Sequence, residues 1–154
     1  MTANNRIFVA ALSLSAVGFG GIVLHEGYSD TAIIPVKGDV PTIGFGTTEG
    51  VKKGDKITPP QAVARAIRDV QKFEGAVKQC VKVPLYQREY DAYVSLSYNI
   101  GAANFCGSTL VKKLNNQDYQ GACKEILRWD RFKGQPLPGL TARRRDEYKQ
   151  CTGD

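Results

Sequence analysis

Hydrophobic and polar positions change their pattern several times along the chain. From Ile7 to Leu24 no residue is charged for 18 positions, and Arg6 stands directly before them. As a helix rising 1.5 Å per residue, such a run reaches about 27 Å, just enough to cross bilayer hydrocarbon. Ser13, Ser15, Gly18, Gly20 and Gly21 dilute its Ile, Phe, Val and Leu, so residence in a membrane is only marginally favourable. Three placements are open: an exported and uncleaved segment, a cleaved signal peptide with Arg6 as its n-region, and a buried core helix. The first is the expectation adopted.

After His25 to Ser29, which read as a helix exit, the pattern becomes strand-like from Thr31 to Thr48. Pro35 and Pro41 exclude a helix, Lys37-Gly38-Asp39 marks a turn, and Val40 to Phe45 is β-branched and aromatic, which predicts a short hairpin. Thr58 followed by Pro59 and Pro60 is a helix start, and Val63, Ile67, Val70, Phe73 and Val77 recur at helical spacing. The spacing predicts one long amphipathic helix over 59–79. Further helices are predicted over 87–100, stopped by Gly101, and over 108–114, 118–129 and 141–150, with Gln135 to Gly139 as a loop. A hairpin followed by helices is an α+β arrangement: a small β lobe and a helical lobe joined by the long helix, leaving a cleft.

Composition narrows the function classes. The 154 residues suffice for one domain with an appendage, and 42% hydrophobic with 23% charged residues excludes a disordered chain. A formal charge of +6 favours a polyanionic partner: nucleic acid, an anionic membrane surface or an acidic wall polymer. Nucleic acid is set aside, because the ordered aromatic and basic motifs of known modules are missing and export conflicts with it. His25 is the single histidine, and cysteines at 80, 106, 123 and 151 form no C-x-x-C pair, so neither a metal site nor a cofactor is expected. The even cysteine count agrees with disulfides in an exported chain, buried free thiols being the other reading. Of three possible connectivities, pairing neighbours as Cys80–Cys106 and Cys123–Cys151 closes two short loops of the helical lobe.

The informative stretch is His25-Glu26-Gly27-Tyr28, followed by Gly38-Asp39-Val40-Pro41-Thr42-Ile43-Gly44-Phe45-Gly46-Thr47-Thr48. A helix-end Glu and a hairpin Asp across a cleft supply the minimum for cutting a glycosidic bond, one carboxyl protonating the leaving oxygen and the other handling water. Residue types alone favour the plainer reading, in which Glu26 is an exposed helix end and Asp39 a turn former.

His-Glu-Gly-Tyr followed by Thr-Ile-Gly-Phe-Gly-Thr resembles the signature of the phage T4-type lysozymes, glycoside hydrolase family 24. The resemblance continues through Tyr90-Asp91-Ala92-Tyr93-Val94, Ser97-Tyr98-Asn99-Ile100-Gly101, Ser108-Thr109-Leu110, Lys113-Leu114-Asn115, and Gly139-Leu140 leading to Arg143-Arg144, covering about residues 25 to 150. The soft segment directly before Glu26 is similar to that of the signal-arrest-release endolysins. The resemblance implies a lysozyme-like fold and inverting hydrolysis of the β-1,4 bond between N-acetylmuramic acid and N-acetylglucosamine. Glu26 falls on the proton donor and Thr42 on the family threonine. The usual second carboxylate is displaced, since Pro35 and Val36 occupy its place and the Glu26-to-Thr42 interval is one residue longer than usual. Asp39 takes that role here, with Asp30 as its rival. Asp39 and Thr42 hold the attacking water, which requires roughly 6.5–9.5 Å between the carboxyls. Tyr98, Asn99 and Thr48 are the expected substrate contacts. Thr47 stands where relatives often carry histidine and is read as structural. Arg143 to Arg145 form either the cation available to Glu26 or a solvated basic face.

The implied organisation is a signal-arrest-release segment over 1–24 and a catalytic domain over 25–154. The expected protein is a monomer acting on peptidoglycan, held on the periplasmic face of the host inner membrane through residues 7–24 and then released into the periplasm. Two alternatives remain: a lytic transglycosylase using Glu26 alone, and an inactive membrane-anchored wall-binding module.

Overall fold

The computed structural model describes residues 5–154. It forms two compact units, one of Gly20–Lys72, the other of Phe73–Asp154 with residues 5–19. The boundaries fall inside α1 (Ala16–Glu26) and α2 (Pro59–Cys80).

In the smaller unit, β1 (Ser29–Ile33) pairs antiparallel with β2 (Thr42–Gly44), Ser29 opposite Gly44 and Ile33 opposite Thr42 with an irregularity between them. The predicted hairpin is therefore present, with its turn at Lys37-Gly38. Asp55 to Ile57 extend the pairing: Ala32 N–H donates to Asp55 O and Ile57 N–H to Asp30 O, both at 2.9 Å. Ile43, Ile57 and Ala62 form the core, flanked by Ala32, Phe45 and Val51, and the rings of Tyr28 and Phe45 lie 5.4 Å apart.

α2 starts where predicted. Thr58 N–H donates to Gln61 Oε1 at 3.0 Å and Gln61 N–H to Thr58 Oγ1 at 3.4 Å, which satisfies two amide donors of the helix end. Its buried stripe differs from the expected one. Ala62, Ala66, Val70 and Val77 are buried, while Val63 and Ile67 are 38% and 45% exposed. The small alanines allow a close approach that larger residues would block: a methyl group at Gly44 would sit 2.9 Å from Ala62 Cβ.

The larger unit is built around α3 (Gln87–Ile100), which packs on α7 (Pro138–Thr152) and is buried from Glu89 to Tyr98. α4 (Ala102–Cys106) follows Gly101 directly, and α5 (Thr109–Asn115) packs on α6 (Tyr119–Glu125). Ser108 Oγ caps α5 by accepting from Val111 N–H at 3.2 Å, and Asp118 caps α6 through Gly121 N–H at 3.0 Å. The helix expected over 118–129 ends at Glu125 and continues as a single 3₁₀ turn, Ile126–Arg128. Two features escaped the sequence reading. Arg131–Phe132 and Gln135–Pro136 pair as a short hairpin, β3 and β4, and α7 begins at Pro138, so Pro138-Gly139 is its first turn and not loop. Both expected disulfides are present, Cys80–Cys106 and Cys123–Cys151, with Cα atoms 5.6 and 5.8 Å apart.

The uncharged stretch is not one helix in this structure. Val9–Ala11 is a 3₁₀ turn, Leu12 is extended, and α1 starts only at Ala16. No helix among the described residues is long and apolar enough to cross a membrane. Specific polar contacts interrupt the run. Arg6 donates to both Glu89 oxygens at 2.9 and 3.1 Å, between the rings of Tyr86 and Tyr119 at 4.3 and 3.5 Å. Ile7 and Leu85 exchange two backbone hydrogen bonds of 2.8 Å. Leu14 N–H donates to Glu74 Oε1 at 2.6 Å, Ser15 N–H donates to Asp91 Oδ1 at 3.0 Å, and Ser15 Oγ also donates to Asp91. Buried carboxylates need such partners, and Glu89 and Asp91 are 2% and 4% exposed.

Candidate active site

Glu26 is the last residue of α1 and is half-buried. Its side chain lies on Gly46, where a methyl group would sit 2.4 Å from Glu26 Oε2 and 2.8 Å from Cδ. Gly46 also has φ +82°, so this position excludes a side chain twice over, by space and by backbone. Two reciprocal bonds between Ile43 and Thr47, of 2.9 and 3.0 Å, close the Gly44-Phe45-Gly46 loop into a tight shelf. The glutamate singled out by the sequence is thus seated on the Thr-Ile-Gly-Phe-Gly segment singled out with it.

The second carboxylate has two positions to compare. Asp39 is half-buried at the hairpin tip; its N–H donates to Val36 O at 2.9 Å and its Oδ1 accepts from Val40 N–H at 2.8 Å, so it helps to close the turn. Asp30 is exposed on β1 and accepts from Thr31 Oγ1 at 3.0 Å. Thr42 is half-buried opposite Ile33, and its Oγ1 reaches Ile33 O at 3.4 Å.

Of the expected substrate contacts, Thr48 and Asn99 are exposed. Tyr98 is 8% exposed, with its ring 5.2 Å from that of Phe73. Thr47 is 2% exposed and donates to Asp69 Oδ2 at 2.6 Å, which agrees with a structural role. Asp69 itself was not singled out in the sequence. Its signal, a carboxylate one position before the buried Val70 on a helix, is too common to stand out.

The solvated-face reading of the arginine cluster fails for two of its members. Arg143 and Arg144 are 4% and 1% exposed and converge on Glu147, Arg143 Nε at 3.2 Å from Oε1 and Arg144 Nε at 2.8 Å from Oε2. Ser95 Oγ donates to the same carboxylate at 2.7 Å. Arg145 is exposed. On the smaller unit, Glu49 pairs with Lys72 and its carbonyl accepts from Arg65 Nη2 at 2.8 Å. The hydrogen bond from Lys72 holds the Glu49 carboxyl below its ordinary range.

A glutamate at a helix end, seated on a glycine shelf beside a short hairpin and followed in the chain by a helical bundle, defines the class as lysozyme-like. The phage lysozyme family model matches residues 23–147, and the chain belongs to that family. It is 39% identical to the SAR-endolysin of Pseudomonas phage phiKMV over 88% of this chain and 86% of that protein. Among solved structures, an endolysin from Escherichia coli O157:H7 phage FAHEc1 superposes with TM-score 0.79 at 36% identity, covering 92% of this chain and 94% of that one. A variant of P22 lysozyme superposes with TM-score 0.75 at 34% identity, covering 92% and 99%. The chain is accordingly a phage endolysin of the lysozyme type, a glycoside hydrolase whose substrate is peptidoglycan.

Proposed function

We propose that Glu26 is the general acid, protonating the glycosidic oxygen between N-acetylmuramic acid and N-acetylglucosamine, while Asp39 and Thr42 hold the water that attacks the anomeric carbon from the opposite face. The seat of the Glu26 carboxyl on Gly46 carries this reading, because an acid must be held in one place to deliver a proton in the transition state. Displacement with inversion releases a reducing end and consumes one water. Thr48 and Asn99, both exposed and polar, are the proposed sugar contacts, while Tyr98, 8% exposed with its ring against Phe73, is assigned to packing.

Residues 1–24 form a signal-arrest-release segment in this reading, and 25–154 the catalytic domain. In the export phase residues 7–24 lie in the inner membrane; after release the chain works as a monomer in the periplasm. The absence of any charge from Ile7 to Leu24 supports this, as do the relatives named SAR-endolysin from phages phiKMV and P21, which match 88% and 92% of the chain. A lytic transglycosylase remains the second reading, favoured by one observation: Asp39 is engaged in closing the hairpin turn. Mass spectrometry of digested peptidoglycan separates the two, since reducing and anhydro ends differ by one water. Reducing ends support hydrolysis, and anhydro ends alone assign the transglycosylase.

A further inference from the structure

We infer that the hydrogen bond between Thr47 and Asp69 is a positioning element for the catalytic acid, so that Thr47 and Asp69 act on turnover through Gly46 and Glu26 without touching substrate. The inference rests on the reading of Glu26 as the acid. The contacts form an unbroken series within the smaller unit. Glu26 lies against Gly46. Gly46 belongs to a three-residue loop whose start is fixed by Ile43, 1% exposed in the core, and whose end is Thr47, 2% exposed. Backbone bonds of 2.9 and 3.0 Å join these two ends to each other, but they do not fix the loop to the rest of the unit. Thr47 Oγ1 supplies that fixation at the second end, donating to Asp69 Oδ2 at 2.6 Å across to α2. A short hydrogen bond from a buried hydroxyl to a carboxylate is among the stronger neutral-to-charged contacts. Gly44 braces the same loop on α2 by contact alone, where a methyl group would lie 2.9 Å from Ala62 Cβ.

A shift of the shelf toward Glu26 must displace its carboxyl, and a shift away removes the surface it rests on, because the carboxyl fills the space a Cβ would take. Misplacing a reacting group by about 1 Å can lower turnover on the order of 10²-fold. Removing the tie should therefore lower kcat and leave KM nearly unchanged, as expected of residues that act through Gly46 and Glu26 and not on the sugar chain.

The test compares Thr47→Val, Thr47→Ser and Asp69→Asn as purified full-length chains on peptidoglycan, with Tm recorded for each and assays run well below it. Thr47→Val keeps the shape and removes the donor; its kcat should fall at least about tenfold with KM within about twofold. Thr47→Ser, which keeps the donor, should recover most of that loss. Asp69→Asn should give an intermediate loss and serves if Thr47→Val does not fold. The double variant Thr47→Val/Asp69→Asn should lose no more than the worse single, the mark of two residues acting through one bond. Native kcat in Thr47→Val or Asp69→Asn, or a serine variant as impaired as the valine one, would overturn the inference and leave Thr47 a packing residue. Glu26→Gln measured alongside keeps the two readings apart: an active Glu26→Gln removes the acid, whereas an inactive one beside a fully active Thr47→Val removes only the positioning role.

Discussion

Glu26 and Gly46 occupy one space: the carboxyl of the first stands where the second lacks a side chain, 2.4 Å from the position a methyl group would take. Gly46→Ala therefore combines backbone strain at φ +82° with displacement of the proposed acid. Gly50 is the matched control, with φ +71° and nothing within 4 Å of an added methyl. Both alanine variants should lose about 1–2 kcal/mol of stability from the left-handed backbone. Only Gly46→Ala should also lose activity, on the order of 10²-fold. Equal activities of the two, assayed below both Tm values, would separate Glu26 from its shelf.

Asp39 and Asp30 are distinguished by their neutral amides. Asp39→Asn should lose most turnover, while its amide oxygen can still accept from Val40 N–H and keep the turn. Asp30→Asn, on the exposed side of β1, should lose little. Rates on purified peptidoglycan decide it, and the reverse order would transfer the role to Asp30.

The helix exit near Glu26 and the turn at Lys37-Gly38 followed from residue type, but residue type alone made Glu26 an exposed helix end and Asp39 a turn former; the roles proposed for them came from the resemblance of His25-Glu26-Gly27-Tyr28 and Thr42 to Thr47 to a family signature. The close approaches at Gly44 and Gly46 became visible only in the structure. The partners of those residues were not legible. Asp69 meets Thr47 because α2 turns its Ala62, Ala66 and Val70 face inward, whereas hydrophobic spacing had placed Val63 and Ile67 on the same face as Val70. Asp91 was visible as part of a motif but not as the acceptor for Ser15, since that contact spans 76 residues. The β3–β4 hairpin was missed because each strand has two residues, too few to show alternation.

The N-terminal segment yields a prediction that the structure sharpens. Leucine at Gly18 would collide with Asp91, whose Cγ lies 2.8 Å from an added methyl, and so would damage the folded form directly. Gly20 and Gly21 have nothing within 4 Å. Gly20→Leu/Gly21→Leu, whose first added carbons meet no neighbour, should therefore deepen membrane residence, and the Tm of the released form checks that the fold is kept. Fractionation of expressing cells should find this variant in the membrane with lysis delayed or abolished. A variant that stays in the membrane yet lyses on schedule contradicts the release mechanism.

Acid should weaken the helical unit at a defined pair. Lys113 Nζ and Arg128 Nη1 each lie 2.9 Å from the Glu125 carboxylate, and the hydrogen bond from Lys113, then that from Arg128, holds its pKa below the ordinary value against partial burial. A carboxyl depressed in the folded state contributes stability above the unfolded value, about 4.3, and loses it as pH falls through the folded value. Lys113 is more than a third exposed, so the effect is small: Lys113→Met should lower Tm by about 1–3 °C at pH 7. The difference should vanish at about pH 2. A constant Tm difference across that range would assign Lys113 a packing role instead.

The central claim is that Glu26 donates the proton that breaks the glycosidic bond, and turnover of purified Glu26→Gln on peptidoglycan tests it most directly. The amide fits the same shelf against Gly46 but has no acidic proton to give, so Tm should stay near the parent value while turnover falls by a factor on the order of 10²–10⁴. Hydrolysis by Glu26→Gln at the parent rate would contradict the account.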